Sequence, residues 1–218
     1  MAMRDEAMTT IEKLSRRQRE RLQHRNEILA VALRLFAEKG FHSVSMQEIA
    51  GEAEFATGTL YNFFTSKEAM FDELKRDCAE KILGSLGAIL DGPGDEVERL
   101  RRFFRHQMFV LEEHGEFIRL YVAEFGQQGA GIRKDPDGDE LSRVLDGKTE
   151  QLLRDGIEKG IFRNVDPAIT ARAIHATLQR LIFDAVGNPN NEEVEGMFRE
   201  VERLFLGGLL MPEGERNE

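Results

Sequence analysis

With 218 residues, 41% of them apolar, the chain has material for a proper core, as one helical domain or two small ones, and no apolar run reaches the roughly 18 residues of a membrane span. The opening MAMRDEAMTTIEK mixes charge with short apolar residues, unlike a secretory leader, and the lone Cys78 excludes an internal disulfide; a reducing, cytoplasmic setting is expected. A net charge of −10 would argue against nucleic acid were it uniform, but residues 1–76 hold 12 Lys/Arg and 12 Asp/Glu, which leaves the whole excess on the rest.

Residues 1–22 show little apolar periodicity and are expected to form a basic, flexible arm. Its end is strongly cationic: Lys13, Arg16, Arg17, Arg19, Arg21 and Arg25 stand against Glu20 alone. Arg16 and Arg17, with Arg19 and Arg21, are candidates to reach phosphates or a minor groove, as basic arms do beside other helix-turn-helix units. The first helix is expected from Arg25 to Lys39, where Ile28, Leu29, Ala32, Leu35 and Phe36 recur at helical spacing before Gly40. Ser45 and Glu48 form a capping box that starts a second helix at about Met46, with Ile49, Ala50 and Ala53 buried. A third is expected from Thr57 to Phe64, anchored by Leu60 and Phe64, with Thr57, Thr59, Tyr61 and Asn62 on its other faces. Two short helices about a tight turn, the second presenting hydroxyls and an amide, make a helix-turn-helix that can enter a DNA groove.

Ser66 or Thr65 is expected to cap a long helix from Lys67 to about Leu90, broken by Asp91-Gly-Pro-Gly-Asp95. Two helices, Glu96–His114 and Glu116–Phe125, should follow, then a Gly-rich loop over 126–139 and a seventh body of helix from about Asp139 to Lys159. Asp166-Pro167 signals a cap and a proline at the first helical position of the next helix. That helix carries Ile169, Ala173 and Ala176 on one side and Ile174, Leu178, Leu181, Ile182 and Ala185 on the other. The last helix, after 187–191, has apolar residues from Val194 to Leu209. Burial on two faces suits packing inside and pairing outside, so these last two helices are expected to form the homodimer surface.

The segment from about Arg25 to Leu74, with EKGF, IA, GTLY and F-x-SKEAM in register, resembles the DNA-binding domain of the TetR (tetracycline-repressor) family of bacterial transcription regulators. The resemblance covers about the first third of the chain. It implies an all-α protein of about nine helices: arm 1–22, helix-turn-helix domain 23–68, ligand-binding and dimerisation domain 69–210, tail 211–218. It also implies contacts. Ser45 and Gln47 would touch phosphate, Thr57 and Thr59 would face base edges or thymine methyls, and Gly58 would let the backbone approach. Tyr61 would donate to a phosphate, Asn62 would read a base or a phosphate, and Lys67 would pair with the backbone. Three residues depart from the family pattern: Glu54 where the turn commonly has glycine, Ala56 in place of a Ser cap, and Phe63 where His or Tyr often contacts phosphate.

The function expected is a ligand-responsive repressor, not an enzyme, that binds a palindromic double-stranded DNA operator as a dimer and is released by an apolar or amphipathic small molecule. Phe71, Leu74, Phe104, Met108, Tyr121 and Leu178 are candidates to line the effector pocket, against the plainer reading that Phe and Met at helical spacing are core. An activator, or a helical binding protein or enzyme with a non-functional DNA head, is the alternative. No cofactor, metal or membrane partner is expected: the five histidines are scattered without a ligand spacing, the Gly-rich loop lacks the phosphate-loop pattern, and Cys78 reads as a small core residue with redox sensing open.

Overall fold

The computed structural model describes residues 15–125, 136–187 and 190–211, which form eight α-helices. They fall into two compact units, one ending at Asp77 and the other beginning at Cys78. The arm's first residues, the loop residues 126–135 and the tail from 212 lie outside the described residues.

In the first unit, α1 spans Arg16–Lys39, α2 Met46–Glu52 and α3 Thr57–Tyr61; α4, Lys67–Leu90, starts there and continues into the second unit. The expected start of α1 at Arg25, and the arm boundary at 22, both fall inside this helix. Ser15 and Gln18 explain why: the Ser15 hydroxyl accepts from Gln18 N at 3.3 Å, and the Gln18 side chain accepts from Ser15 N at 2.9 Å, a reciprocal capping box. Farther along, Ile28, Leu29, Ala32, Leu35 and Phe36 are all buried, and Gly40, at φ 82°, closes the helix. Ser66 caps α4 by accepting from Ala69 N.

In the second unit, Asp95 accepts from Glu98 N at 2.8 Å and starts α5, Glu96–Phe125. This is one helix where two were expected. Gly115 costs helix propensity but removes no hydrogen bond, and burial resumes past it at Phe117, Ile118 and Leu120. Helix α6 spans Pro136–Glu158, α7 Pro167–Ala185 and α8 Asn191–Leu209. Asp166 caps α7 through Ile169 N at 2.9 Å, as the Asp-Pro pair predicted. Phe103 and Phe104 of α5, Leu152 and Leu153 of α6, Ile174 of α7 and Phe198 of α8 share one core. The turn after α6 pairs with the end of α8: Arg163 N donates to Leu209 O at 2.7 Å, and Met211 N to Ile161 O at 3.1 Å. No helix among the described residues is long and apolar enough to cross a membrane.

Candidate nucleic-acid interface

The α2–α3 pair is built on a small apolar base. Met46, Ile49, Ala50, Leu60 and Phe64 are buried, and this fixes which residues face out: Ser45, Gln47, Gly58, Tyr61 and Asn62 are exposed, and Thr57 and Thr59 half-exposed. A Cβ at Gly58 would meet nothing within 4 Å, so that face of α3 is open. Ser45 accepts from Glu48 N at 3.2 Å, the expected cap. The Glu48 carboxylate also takes the Lys39 ammonium at 2.5 Å, which holds its pKa below the usual carboxylate range.

The turn between the helices is closed by a Schellman pair, Phe55 N donating to Ala50 O at 2.9 Å and Glu54 N to Gly51 O at 3.2 Å. That closure places Glu54 in the left-handed region, at φ 58°. The position therefore requires the conformation that glycine adopts freely and glutamate does not. Ala56 precedes α3 without a side-chain hydrogen bond. Regular α-helix in α3 ends at Tyr61, three residues before the expected Phe64, because Asn62 N and Phe63 N tighten to bonds with Thr59 O and Leu60 O.

The end of α3 is held by α1. Arg25 Nη1 donates to Phe63 O at 2.9 Å, and its Nε and Nη2 form a two-pronged pair with the Glu73 carboxylate of α4. Its guanidinium lies 4.2 Å from the centre of the Phe64 ring. One turn earlier, Arg21 Nη2 donates to Asn62 O at 3.3 Å, with the guanidinium 5.4 Å from the centre of the Phe63 ring. Phe63 also meets the edges of His24 and Phe55. Sequence reasoning did not assign Arg25 a role. The signal is that Arg21 and Arg25 continue, at a spacing of four, the stripe through Leu29 and Ala32 that buries α1.

Lys67 does not stand with the exposed residues. Its ammonium donates to the carbonyl oxygens of Phe41, His42 and Val44 at 2.8, 3.1 and 3.0 Å, so its three N–H bonds are taken and the expected phosphate contact has no donor left. Arg16 is highly exposed and pairs with Glu20 at 2.8 Å; Arg17 is exposed beside it.

The six residues expected to line an effector pocket are not brought together in one unit. Phe71 and Leu74 are buried in the first, where Phe71 meets the edge of Phe41. Phe104, Met108, Tyr121 and Leu178 belong to the second. Phe104 and Leu178 are buried core, Phe104 stacks on Phe205 at 5.9 Å, and Met108 and Tyr121 are half-buried. A cavity of about 430 Å³ near the end of α4 is lined by other residues, among them Arg99, Val144, Lys148 and Leu152. Between α6 and α7 lies a further cluster that no sequence motif marks. His175 Nδ1 lies 2.5 Å from Asp146 Oδ1, and its Nε2 lies 3.0 Å from Thr149 Oγ1. Thr149 has no exposed surface, so the cluster joins two helices and offers no nucleophile to a substrate.

Residues 28–74 match the family described as Bacterial regulatory proteins, tetR family, and residues 93–205 match the Tetracyclin repressor-like C-terminal domain. The HTH-type transcriptional repressor KstR2 of Mycobacterium tuberculosis H37Rv is 30% identical over 160 residues, 70% of this chain and 76% of that one. KstR2 of Rhodococcus jostii is 38% identical over 154 residues, 70% of this chain and 75% of its own. The solved structure of the ketosteroid transcriptional regulator KstR2 of M. tuberculosis superposes with a TM-score of 0.65 at 26% identity, covering 86% of this chain and 95% of that one.

Proposed function

The chain belongs to the TetR family of bacterial regulatory proteins, and from that premise we propose that it is a cytoplasmic, ligand-responsive transcriptional repressor that binds a palindromic operator as a dimer. The observation that carries this reading is the outward face of the α2–α3 pair, where Thr57, Gly58, Thr59, Tyr61 and Asn62 project from a base closed by Leu60 and Phe64. In a major groove Thr57 and Thr59 would meet base edges, with Gly58 allowing close approach, while Ser45, Gln47 and Tyr61 would donate to phosphates and Asn62 would read a base or a phosphate. Arg16 and Arg17, helical and exposed, would extend the phosphate contacts beyond the two short helices.

Dimerisation is supported by the second faces of α7 and α8. Ile169 and Leu204 are 60% and 61% exposed, and Ala173 and Ala176 lie on the same exposed side of α7 as Ile169. Apolar side chains left bare on two adjacent helices suit a four-helix bundle with a second copy. The effector would be apolar or amphipathic, a class in keeping with the ketosteroid regulator that this chain resembles. Phe104, Met108, Tyr121 and Leu178 remain its candidate contacts in the second unit. A ligand preferring the conformation that does not fit the operator would shift the population away from DNA, with α4 as the helix common to both units. A mobility-shift titration at stated salt with the DNA upstream of the protein's own gene tests the reading. A specific, salt-dependent shift is expected; no specific shift there or in a genomic selection would sink it.

A further inference from the structure

Two arginines one turn apart on α1 reach the same end of α3, and their chemistry differs. Arg25 is spent: its donors go to the Glu73 carboxylate and the Phe63 carbonyl oxygen, and its flat face covers Phe64. Arg21 is not. Of its five N–H bonds, one goes to the Asn62 carbonyl oxygen, and among the described residues no carboxylate pairs with it. The guanidinium rests over the Phe63 ring and its residue is exposed.

We infer that Arg21 is a DNA-phosphate contact seated on the end of the recognition helix, with Phe63 as the seat and not as a donor. Phe63 has no hydrogen to offer an oxyanion, whereas the cation it supports has several. A guanidinium held by a ring and a carbonyl gives up less side-chain freedom on meeting a phosphate than a free arginine of the arm. The carbonyl bond also fixes the cation to α3 itself, next to exposed Tyr61 and Asn62, so the phosphate it takes is one flanking the bases that α3 faces. On the same helix Arg16, Arg34 and Lys39 each pair with a glutamate, whereas Arg21 is positioned by a carbonyl oxygen and a ring.

This inference rests on the DNA-binding reading, and its test separates the two. Arg21→Gln removes the charge and keeps a polar side chain of shorter reach; Arg21→Lys keeps the charge. Binding of each variant and of the unaltered protein is measured by mobility shift against the preferred and an unrelated duplex from 50 to 200 mM salt, beside the thermal midpoint. Arg21→Gln is expected to lower the salt slope by about 0.9 per subunit, about 1.8 for the dimer, and to weaken both duplexes alike, about tenfold per subunit at the low-salt end, with the midpoint unchanged, while Arg21→Lys keeps the slope. An unchanged slope in Arg21→Gln overturns the inference and leaves Arg21 a cap for α3, with the repressor reading intact. Loss confined to the preferred duplex also overturns it. If the unaltered protein selects no duplex at all, the DNA-binding reading falls and this inference with it.

Discussion

Lys67 lies 4.7 Å from the centre of the Phe41 ring while donating to the Phe41 carbonyl oxygen at 2.8 Å, and so the first residue of α4 closes the 41–44 link between α1 and α2. The neighbouring carbonyls of His42 and Val44 share the same ammonium. Lys67→Met would leave three carbonyl oxygens without this partner. A loss of about 2 kcal/mol of stability is expected, from the cost of removing a charged donor from part-buried acceptors. Urea unfolding measures it. The DNA-binding salt slope should stay where it is, since no phosphate contact is lost; a slope lower by about 1 per subunit would return Lys67 to the backbone contacts.

Glu54 and Ala56 mark two local costs in one turn. The left-handed backbone at Glu54 is imposed by the bonds that end α2, so Glu54→Gly should stabilise by about 1 kcal/mol. At Ala56 the φ and ψ of −63° and 140° already suit a cap, and Ala56→Ser should add about 1 kcal/mol by accepting an amide of α3. Both would appear as higher denaturant midpoints with an unchanged slope of unfolding against denaturant.

What could be read in the chain before folding divides by sequence distance. Ser45, Asp166 and Gly40 act within four residues, and the structure uses each as its residue type dictates. Ser15 and Gln18 are equally local, but the turn they start is exposed and gives no apolar periodicity, so periodicity alone starts the helix nine residues too late. Arg16–Glu20 and Gln23–Glu27, both at a spacing of four, support that stretch in place of burial. The candidate DNA face was legible because its polar residues sit between buried Leu60 and Phe64. Lys67 was not: its partners lie 23 to 26 residues earlier, and only the packed unit brings them to it. The clasp of His175 on Asp146 and Thr149 joins two helices whose register no single helical pattern specifies.

Gly156 faces the fully buried Phe162 ring, and a Cβ there would lie 2.2 Å from Cδ2. Alanine favours a helix over glycine by about 1 kcal/mol, but an overlap with a ring that has no exposed surface to retreat to is larger. Gly156→Ala is therefore expected to destabilise by roughly 2–3 kcal/mol net and to lower the thermal midpoint. Phe162→Leu should cost stability alone, yet cost less, or nothing, in the Gly156→Ala background. Additive losses in that double-mutant cycle would show that the two side chains do not compete for one space.

Burial of His175 should give the stability of the second unit a pH dependence. With Asp146 ionised, Nδ1–H donates to its carboxylate and Nε2 accepts from the Thr149 hydroxyl, which fixes the neutral ring. Burial pushes the His175 pKa below its ordinary 6.5, and the Asp146 charge opposes this without reversing it. As pH falls through 6.5, the unfolded chain takes up a proton that the folded one refuses, so stability present above 6.5 declines until the folded pKa is reached. The decline should not exceed about 1.4 kcal/mol per pH unit, and His175→Gln should remove it. Glu96 adds a separate acid limb: Lys159 at 2.6 Å lowers its pKa, so its contribution is present above 4.5 and is lost as pH falls below. Unfolding free energies measured from pH 8 down to about pH 3 would resolve both. Stability that rises between pH 7 and pH 5.5 would mean that the Asp146 charge outweighs burial and that the histidine is cationic in the folded protein.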